Sequence, residues 1–231
     1  MTDWTQHYKR AVTFSYDDGN EQDLRLLEIL RQYGLRCTFN LNSGLGGDAG
    51  TWEYEGALVR RMVLSERIGC YAGHEIAVHG AKHLNMTELS DAALHEEIVS
   101  DRDTLASLCG TVPVGAAYPY GAYDARVMEA MRAAGIRYVR TVNSTHSFAP
   151  QEALLAFHPT CHHDDPALET LVEDFLRLEP ETPQVLYIWG HSYEFDGHRN
   201  WDRFERICER LAGHPDIFYG TNAQVLLRGE M

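Results

Sequence analysis

Short apolar runs alternate with amphipathic stretches along the whole of this chain. Ala11-Val12-Thr13-Phe14 is β-prone and leads into Asp17-Asp18-Gly19. Leu24, Leu27 and Leu30 then fall on one helical face, which Gly34 stops. Cys37–Leu41 reads as a short buried strand. Asn42 to Thr51 holds four glycines and is a loop. A helix is expected from about Tyr54 to Ile68, followed by a strand, Gly73–Val78, that runs into a histidine-rich loop. Ser90 suits the N-cap of a long helix carrying Leu94, Ile98, Leu105 and Leu108 inward. Val112 to Tyr118 is extended and Pro119-Tyr120-Gly121 closes it. A helix with Val127 and Met131 ends at Gly135, and Tyr138–Val142 and Leu154–Phe157 follow as strands. Pro166 fits the first helical position behind an Asp165 cap, with Leu168, Leu171, Val172 and Phe175 buried. Val185–Trp189 is a continuous apolar strand. A helix with Phe204, Ile207 and Leu211 comes next, then Ile217–Tyr219 and a short terminal helix.

Strands alternating with helices at intervals of roughly 25–40 residues mean parallel βα units. Seven or eight such strands with no linker predict one domain over residues 1–231, a closed or nearly closed barrel of seven or eight βα units, of the α/β class. At 231 residues, 44% of them hydrophobic, the chain can bury the core such a barrel needs. A formal net charge of −14 argues against nucleic acid or an anionic membrane as partner. The opening MTDWTQHYKRAV has no apolar h-region, and no run approaches the roughly 20 apolar residues of a membrane span. Five scattered cysteines read as reduced thiols, so a cytoplasmic location is expected.

In βα barrels, chemistry gathers at the C-terminal ends of the strands, and every candidate residue lies there. Asp17 and Asp18 leave a strand in different directions, so one can hold a metal ion while the other manages a proton. His79 and His83, four apart, share one point if their loop makes a helical turn. With a carboxylate they would leave a position open for water. His74, earlier on the same strand, reads as structural.

The ordered set Ser15-Tyr16-Asp17-Asp18-Gly19, His79-x-x-x-His83, Pro119-Tyr120-Gly121 and His191 resembles the polysaccharide deacetylase domain (NodB homology, carbohydrate esterase family 4) over roughly residues 11–220. The resemblance implies a distorted barrel that removes acetyl groups from N-acetylated sugars or small oligosaccharides with one divalent ion, usually zinc. It assigns Asp18, His79 and His83 to the metal, Asp17 to the general base, the backbone N–H of Tyr120 to the oxyanion and His191 to protonation of the departing amine. A bound cation lowers the pKa of its water and polarises the acetyl carbonyl.

Two departures stand out. The family's arginine two residues before Pro-Tyr-Gly, which there pairs with the catalytic aspartate, is Ala117 here, and the stretch around Asn143 lacks the acid that in the family tunes the catalytic histidine. Together they point to a rewired charge network. Among the replacements, His162 or His163 could orient Asp17 or contact substrate, and Glu194 or Asp196 could partner His191. Trp201, Trp52 and Tyr54 are candidates for sugar stacking, with a buried helix turn as the other place for Trp201. Cys161 reads as a small buried residue. Competing activities are an O-acetyl esterase, a metal-free ureide amidohydrolase on the same fold and a non-catalytic saccharide binder. The oligomeric state stays open.

Overall fold

Eight consecutive buried residues, Arg10–Asp17, form β1, the strand on which the sheet is built. A strand buried on both faces needs an unbroken apolar run rather than alternation, and this segment supplies most of one. The computed structural model describes residues 3–228. After β1 come α1 (Asp23–Gln32), β2 (Cys37–Leu41), β3 (Thr51–Tyr54), β4 (Ala57–Arg60), α2 (Leu64–Arg67) and β5 (Glu75–Val78). The chain continues through α3 (Asp91–Cys109), β6 (Gly115–Ala117), α4 (Ala125–Ala133), β7 (Tyr138–Arg140) and β8 (Cys161–His162). It finishes with α5 (Leu168–Arg177), β9 (Gln184–Gly190), α6 (Glu194–His198), α7 (Trp201–Leu211), β10 (Ile217–Tyr219) and α8 (Asn222–Leu226).

The parallel sheet runs β7-β6-β5-β2-β1-β9-β8, with β10 also paired to β1. Phe157, four residues before β8, bridges to Arg140 of β7, so the segment that leads into β8 draws the curled sheet round as a distorted barrel. Register sets the level of the chemistry. Asp17 pairs with Asn40, Leu41 with Val78, Ala117 with Arg140, Tyr16 with Gly190 and His162 with Trp189. One rim therefore collects Asp17, Asp18, Asn40, His79, Arg140, His162 and His191.

Local signals account for most helices. Ser90 Oγ accepts from Ala93 N, and Gly110 ends α3 at φ 72°. Asp124 caps α4 through Val127 N, and Thr221 with Gln224 forms a capping box on α8. Phe14, Tyr16, Phe195 and Phe204 meet edge to face or tilted beneath the rim.

Three sequence expectations need correction. Tyr54 to Ile68 is not one helix but the β3–β4 hairpin followed by the short α2. Glu55 and Gly56 both take positive φ, which closes a two-residue hairpin turn before a helix can nucleate. Leu154–Ala156 is a 3₁₀ turn, and of that expected strand only Phe157 joins the barrel. The helix behind Pro166 begins at Leu168; Asp165 Oδ1 accepts from Ala167 N at 2.9 Å instead of capping at Pro166.

Strand packing is close at the far side of the sheet, where a Cβ on Gly115 would lie 2.0 Å from Tyr138 Cζ. Gly115→Ala is expected to destabilise the fold by about 1–3 kcal/mol, the usual cost of overpacking, read as a lower urea midpoint at unchanged m-value.

Candidate active site

Asp17 and Asp18 end β1 with side chains only a few per cent exposed. Two buried neighbouring carboxylates need compensation, and each has its own arginine. Arg140 Nη2 meets Asp17 Oδ2 in a short ion pair. Asn40 Nδ2 donates to Asp17 Oδ1 at 2.8 Å. Arg61 Nη2 lies 2.6 Å from Asp18 Oδ1, and Arg61 Nε donates to Asn42 Oδ1. Burial alone would raise both acids; Arg140 and the charged His191 outweigh it at Asp17, and His191 and Arg61 at Asp18, so both carboxyls stay below the usual range.

Ala117 is thus explained. Arg140 stands opposite it on the adjacent strand, and its guanidinium, 4.2 Å above the Trp189 ring, reaches the aspartate that the family's arginine normally meets. The side chain comes from the next strand. Sequence spacing gave no sign of Arg140 or Arg61. The only available signal for Arg140 was a charge in the middle of the strand expected over Tyr138–Val142.

His79 and His83 do converge with Asp18: one ligand atom from each lies within 4.8 Å of the others. His79 Nε2 is 3.9 Å and His83 Nε2 3.6 Å from Asp18 Oδ1. The loop between them is a turn rather than a helical turn, with His83 at φ 53°. It is pinned from behind by α3. Asp101 Oδ2 accepts from His79 N at 3.0 Å, and Glu97 Oε1 accepts from Lys82 N and Leu84 N. His79 Nδ1 lies 2.9 Å from the Ala117 carbonyl, which can only accept, so the hydrogen sits on Nδ1 and the Nε2 lone pair faces Asp18. Burial holds His79 below the ordinary histidine value and pushes His83 to about 4, keeping both rings neutral at pH 7. A carboxylate and two neutral imidazoles are a donor set that fits a divalent cation.

His191 follows β9, its Nε2 3.9 Å from Asp17 Oδ2. Glu194 is the acid that the sequence around Asn143 lacks: its Oε2 accepts from His191 N at 3.0 Å and lies 3.2 Å from Nδ1. Burial pulls His191 down, but Glu194, with Asp17 and Asp18, overcomes that and pushes it up to about 9. Tyr120 tops the Pro119–Gly121 turn at φ 58°, its exposed ring 4.6 Å from that of His83. Together with Asp18, Arg61, His83, Trp52 and Tyr193 it lines an open cleft of about 390 Å³.

Other candidates fall elsewhere. His162 and His163 face Glu194, not Asp17, at 3.1 and 3.3 Å. Trp201 is the buried first residue of α7, donates to Asp196 Oδ1 and packs on Phe195, so neither it nor Asp196 lines the cleft. Tyr54 meets His198. His74 accepts from Cys37 N and is structural, and Cys161 is buried with its thiol pushed up to about 12.

Two outcomes are expected. Arg140→Leu leaves Asp17 buried without its cation and should cost roughly 3–5 kcal/mol of stability, measured by denaturant unfolding. A histidine raised to about 9 stabilises the fold fully below its unfolded pKa of about 6.5, and this contribution is lost as pH rises towards 9. Between pH 6.5 and 9, Tm of the metal-free protein should fall, and Glu194→Gln should flatten that slope.

A family model described as polysaccharide deacetylase matches residues 5–139. A chitooligosaccharide deacetylase of Rhizobium leguminosarum bv. trifolii is 28% identical over 132 residues, covering 56% of this chain and 55% of the relative. One from Bradyrhizobium is 27% identical over 134 residues, with the same coverage. The chain spans about half the length of these curated relatives. Among solved structures, a family 4 carbohydrate esterase from Streptomyces lividans, in complex with acetate, superposes with a TM-score of 0.61 at 20% identity, covering 92% of this chain and 93% of that one. A family 4 pseudoenzyme from Bacillus anthracis gives 0.57 at 14% identity, covering 94% and 66%. At these identities the likeness is one of fold, and it extends to a relative described as a pseudoenzyme. The family match covers more than half of the residues, and on that ground the chain belongs to the polysaccharide deacetylase family.

Proposed function

We propose that this protein is a metal-dependent hydrolase that removes acetyl groups from N-acetylated sugars or small oligosaccharides. One observation carries the reading: Asp18, His79 and His83 converge beside a buried, ionised Asp17 and a protonated His191 on one rim of the barrel. The deacetylase names of the relatives support the acetyl chemistry. Zinc is the proposed ion, because neutral imidazole nitrogens and one carboxylate suit it. Five free cysteines, three of them buried, fit a reducing compartment, and a cytoplasmic site would favour small soluble substrates over cell-wall polymers.

Asp18, His79 and His83 would hold the ion, which when bound acidifies a water and polarises the acyl carbonyl. Asp17 accepts the proton of the attacking water. Its lowered pKa keeps it available as a base at neutral pH, and Arg140 and Asn40 fix both its oxygens. The backbone N–H of Tyr120, a residue lining the cleft, would serve as a donor for the oxyanion. His191, charged at neutral pH through Glu194, delivers a proton to the nitrogen as the C–N bond breaks. Amines leave poorly unless protonated, so amides need this acid more than esters do. Trp52, Tyr193 and Tyr120 provide apolar faces around the cleft for a sugar ring.

The test is acetate release from a panel of N-acetylated and O-acetylated mono- and oligosaccharides, with and without chelator, alongside elemental analysis. Asp18→Ala should lose bound metal and turnover together. Asp17→Asn should keep the metal and lose about 10²–10⁴ in kcat, the usual worth of an acid–base group. Full activity in metal-free protein would point instead to a ureide-type amidohydrolase. Saccharide binding without turnover, unchanged in Asp17→Asn, would mark a binding protein.

A further inference from the structure

The run His162-His163-Asp164 ends at the rim yet takes no part in the chemistry above. His163 is almost wholly buried, its ring stacked between Tyr16 at 5.6 Å and Phe195 at 4.1 Å. Its seat exists because residue 190 is glycine: a Cβ there would lie 2.0 Å from His163 Nδ1. Neither ring nitrogen has a hydrogen bond of good geometry, nor has His191 Nδ1, which lies 3.2 Å from Glu194 Oε2; His163 Nε2 lies 3.3 Å from both Glu194 Oε2 and Asp164 Oδ2.

The two carboxylates differ in their anchorage. Asp164 is tied to the next loop, with Oδ2 2.6 Å from His198 Nδ1 and Oδ1 accepting from Asn200 Nδ2 at 2.7 Å. Glu194 Oε2 faces His191 N, His191 Nδ1 and His162 Nε2 as well as His163. One buried ring therefore joins a carboxylate fixed from the surface to the carboxylate that touches His191.

The four side chains His162, His163, Asp164 and Glu194 lie close enough to hold a cation. Tautomer chemistry decides against it. His162 Nδ1 accepts from Asp164 N at 3.1 Å, so its hydrogen sits on Nε2 and points at Glu194, leaving no lone pair there for a metal. Hydrogens, not an ion, fill this cluster.

We propose that His163 is a positioning residue for His191: its Nε2 edge, set between the carboxylates of Asp164 and Glu194 at 3.3 Å from each, holds Glu194 Oε2 facing His191 Nδ1 by electrostatic attraction rather than by a well-aligned hydrogen bond. Nδ1 then keeps its hydrogen, and His191 turns Nε2 towards Asp17 and the substrate. This rests on the deacetylase reading for its catalytic consequence, but not for the geometry of His191.

The experiment compares full-length wild type with His163→Phe, which keeps a ring in the stack but has no N–H, and His163→Gln, which restores a donor. Side-chain 15N NMR, with His191 assigned by its absence in His191→Gln, reads the tautomer without any substrate. Above a pH of about 9, where His191 has lost its second proton, wild type and His163→Gln should show neutral His191 protonated on Nδ1, and His163→Phe a mixture of tautomers. With matched N-acetyl and O-acetyl sugars, His163→Phe should lose about tenfold or more in kcat on the amide, part of the roughly 10²–10⁴ a whole acid–base group contributes. It should lose much less on the ester, with KM little changed. An unchanged His191 tautomer, or equal losses on both substrates, would show that His163 only packs. A second equivalent of zinc in wild type that disappears in His163→Phe would make the cluster a cation site and overturn the proposal. If His163→Phe does not fold, Asp164→Asn leaves the ring seated and removes its anchor, and the same shift in tautomer is required of it. Wild type inactive on every substrate would sink the deacetylase reading, while the NMR result would still decide the role of His163.

Discussion

Two buried carboxylates in adjacent positions, Asp17 and Asp18, are the constraint to which the rest of this rim answers. Each ionised acid in a low-dielectric setting costs several kcal/mol unless a cation or strong donors stand against it. Arg140 meets the first and Arg61 the second, each from a different element. The arginines are themselves held, one over Trp189 and the other over Trp52 with its Nε on Asn42. Charge compensation thus ties β1 to β7 across the barrel and to the hairpin, so the acids are both the site's chemistry and part of its mortar.

A second tier of buried acids works on backbone rather than on charge. Asp101 and Glu97 project from α3 and accept N–H groups of the His79–His83 loop, which has no regular structure to satisfy them. Asp23, buried at the start of α1 and raised to about 7 by burial, accepts from Tyr71 and Ser192 and so braces the segment that follows His191. A loop with its amides satisfied from behind can present side chains in a fixed geometry, which a solvated loop cannot do without paying the ordering entropy on binding.

Glu194 stands against His191, where the stretch around Asn143 offers no acid. It reaches the imidazole from the first turn of α6, three residues on, and three histidines crowd its Oε2. The missing arginine and the missing acid are both replaced from positions outside their usual motifs. Contact geometry at the barrel rim depends on which side chains arrive there, not on which strand sends them, so such exchanges conserve the charge balance while erasing the sequence signature.

Periodicity and punctuation carried much of the architecture. The buried runs of β1, β2 and β9, the capped helix α3 and the βα alternation are local properties, legible because burial on one or both faces writes itself into a single segment. So were Asp18, His79, His83 and His191, since strand ends in a barrel share one rim. The hairpin at Tyr54 was missed because two residues at positive φ outweighed an amphipathic pattern, and Trp201 went to the core because Asp196 and Phe195 claimed it. Arg140 opposite Ala117, Arg61 on Asp18 and His163 beneath Glu194 were decided only by the fold. Each is a contact between residues 23 to 43 positions apart whose partner is set by strand register and curl, and a linear chain holds no record of register until the sheet closes.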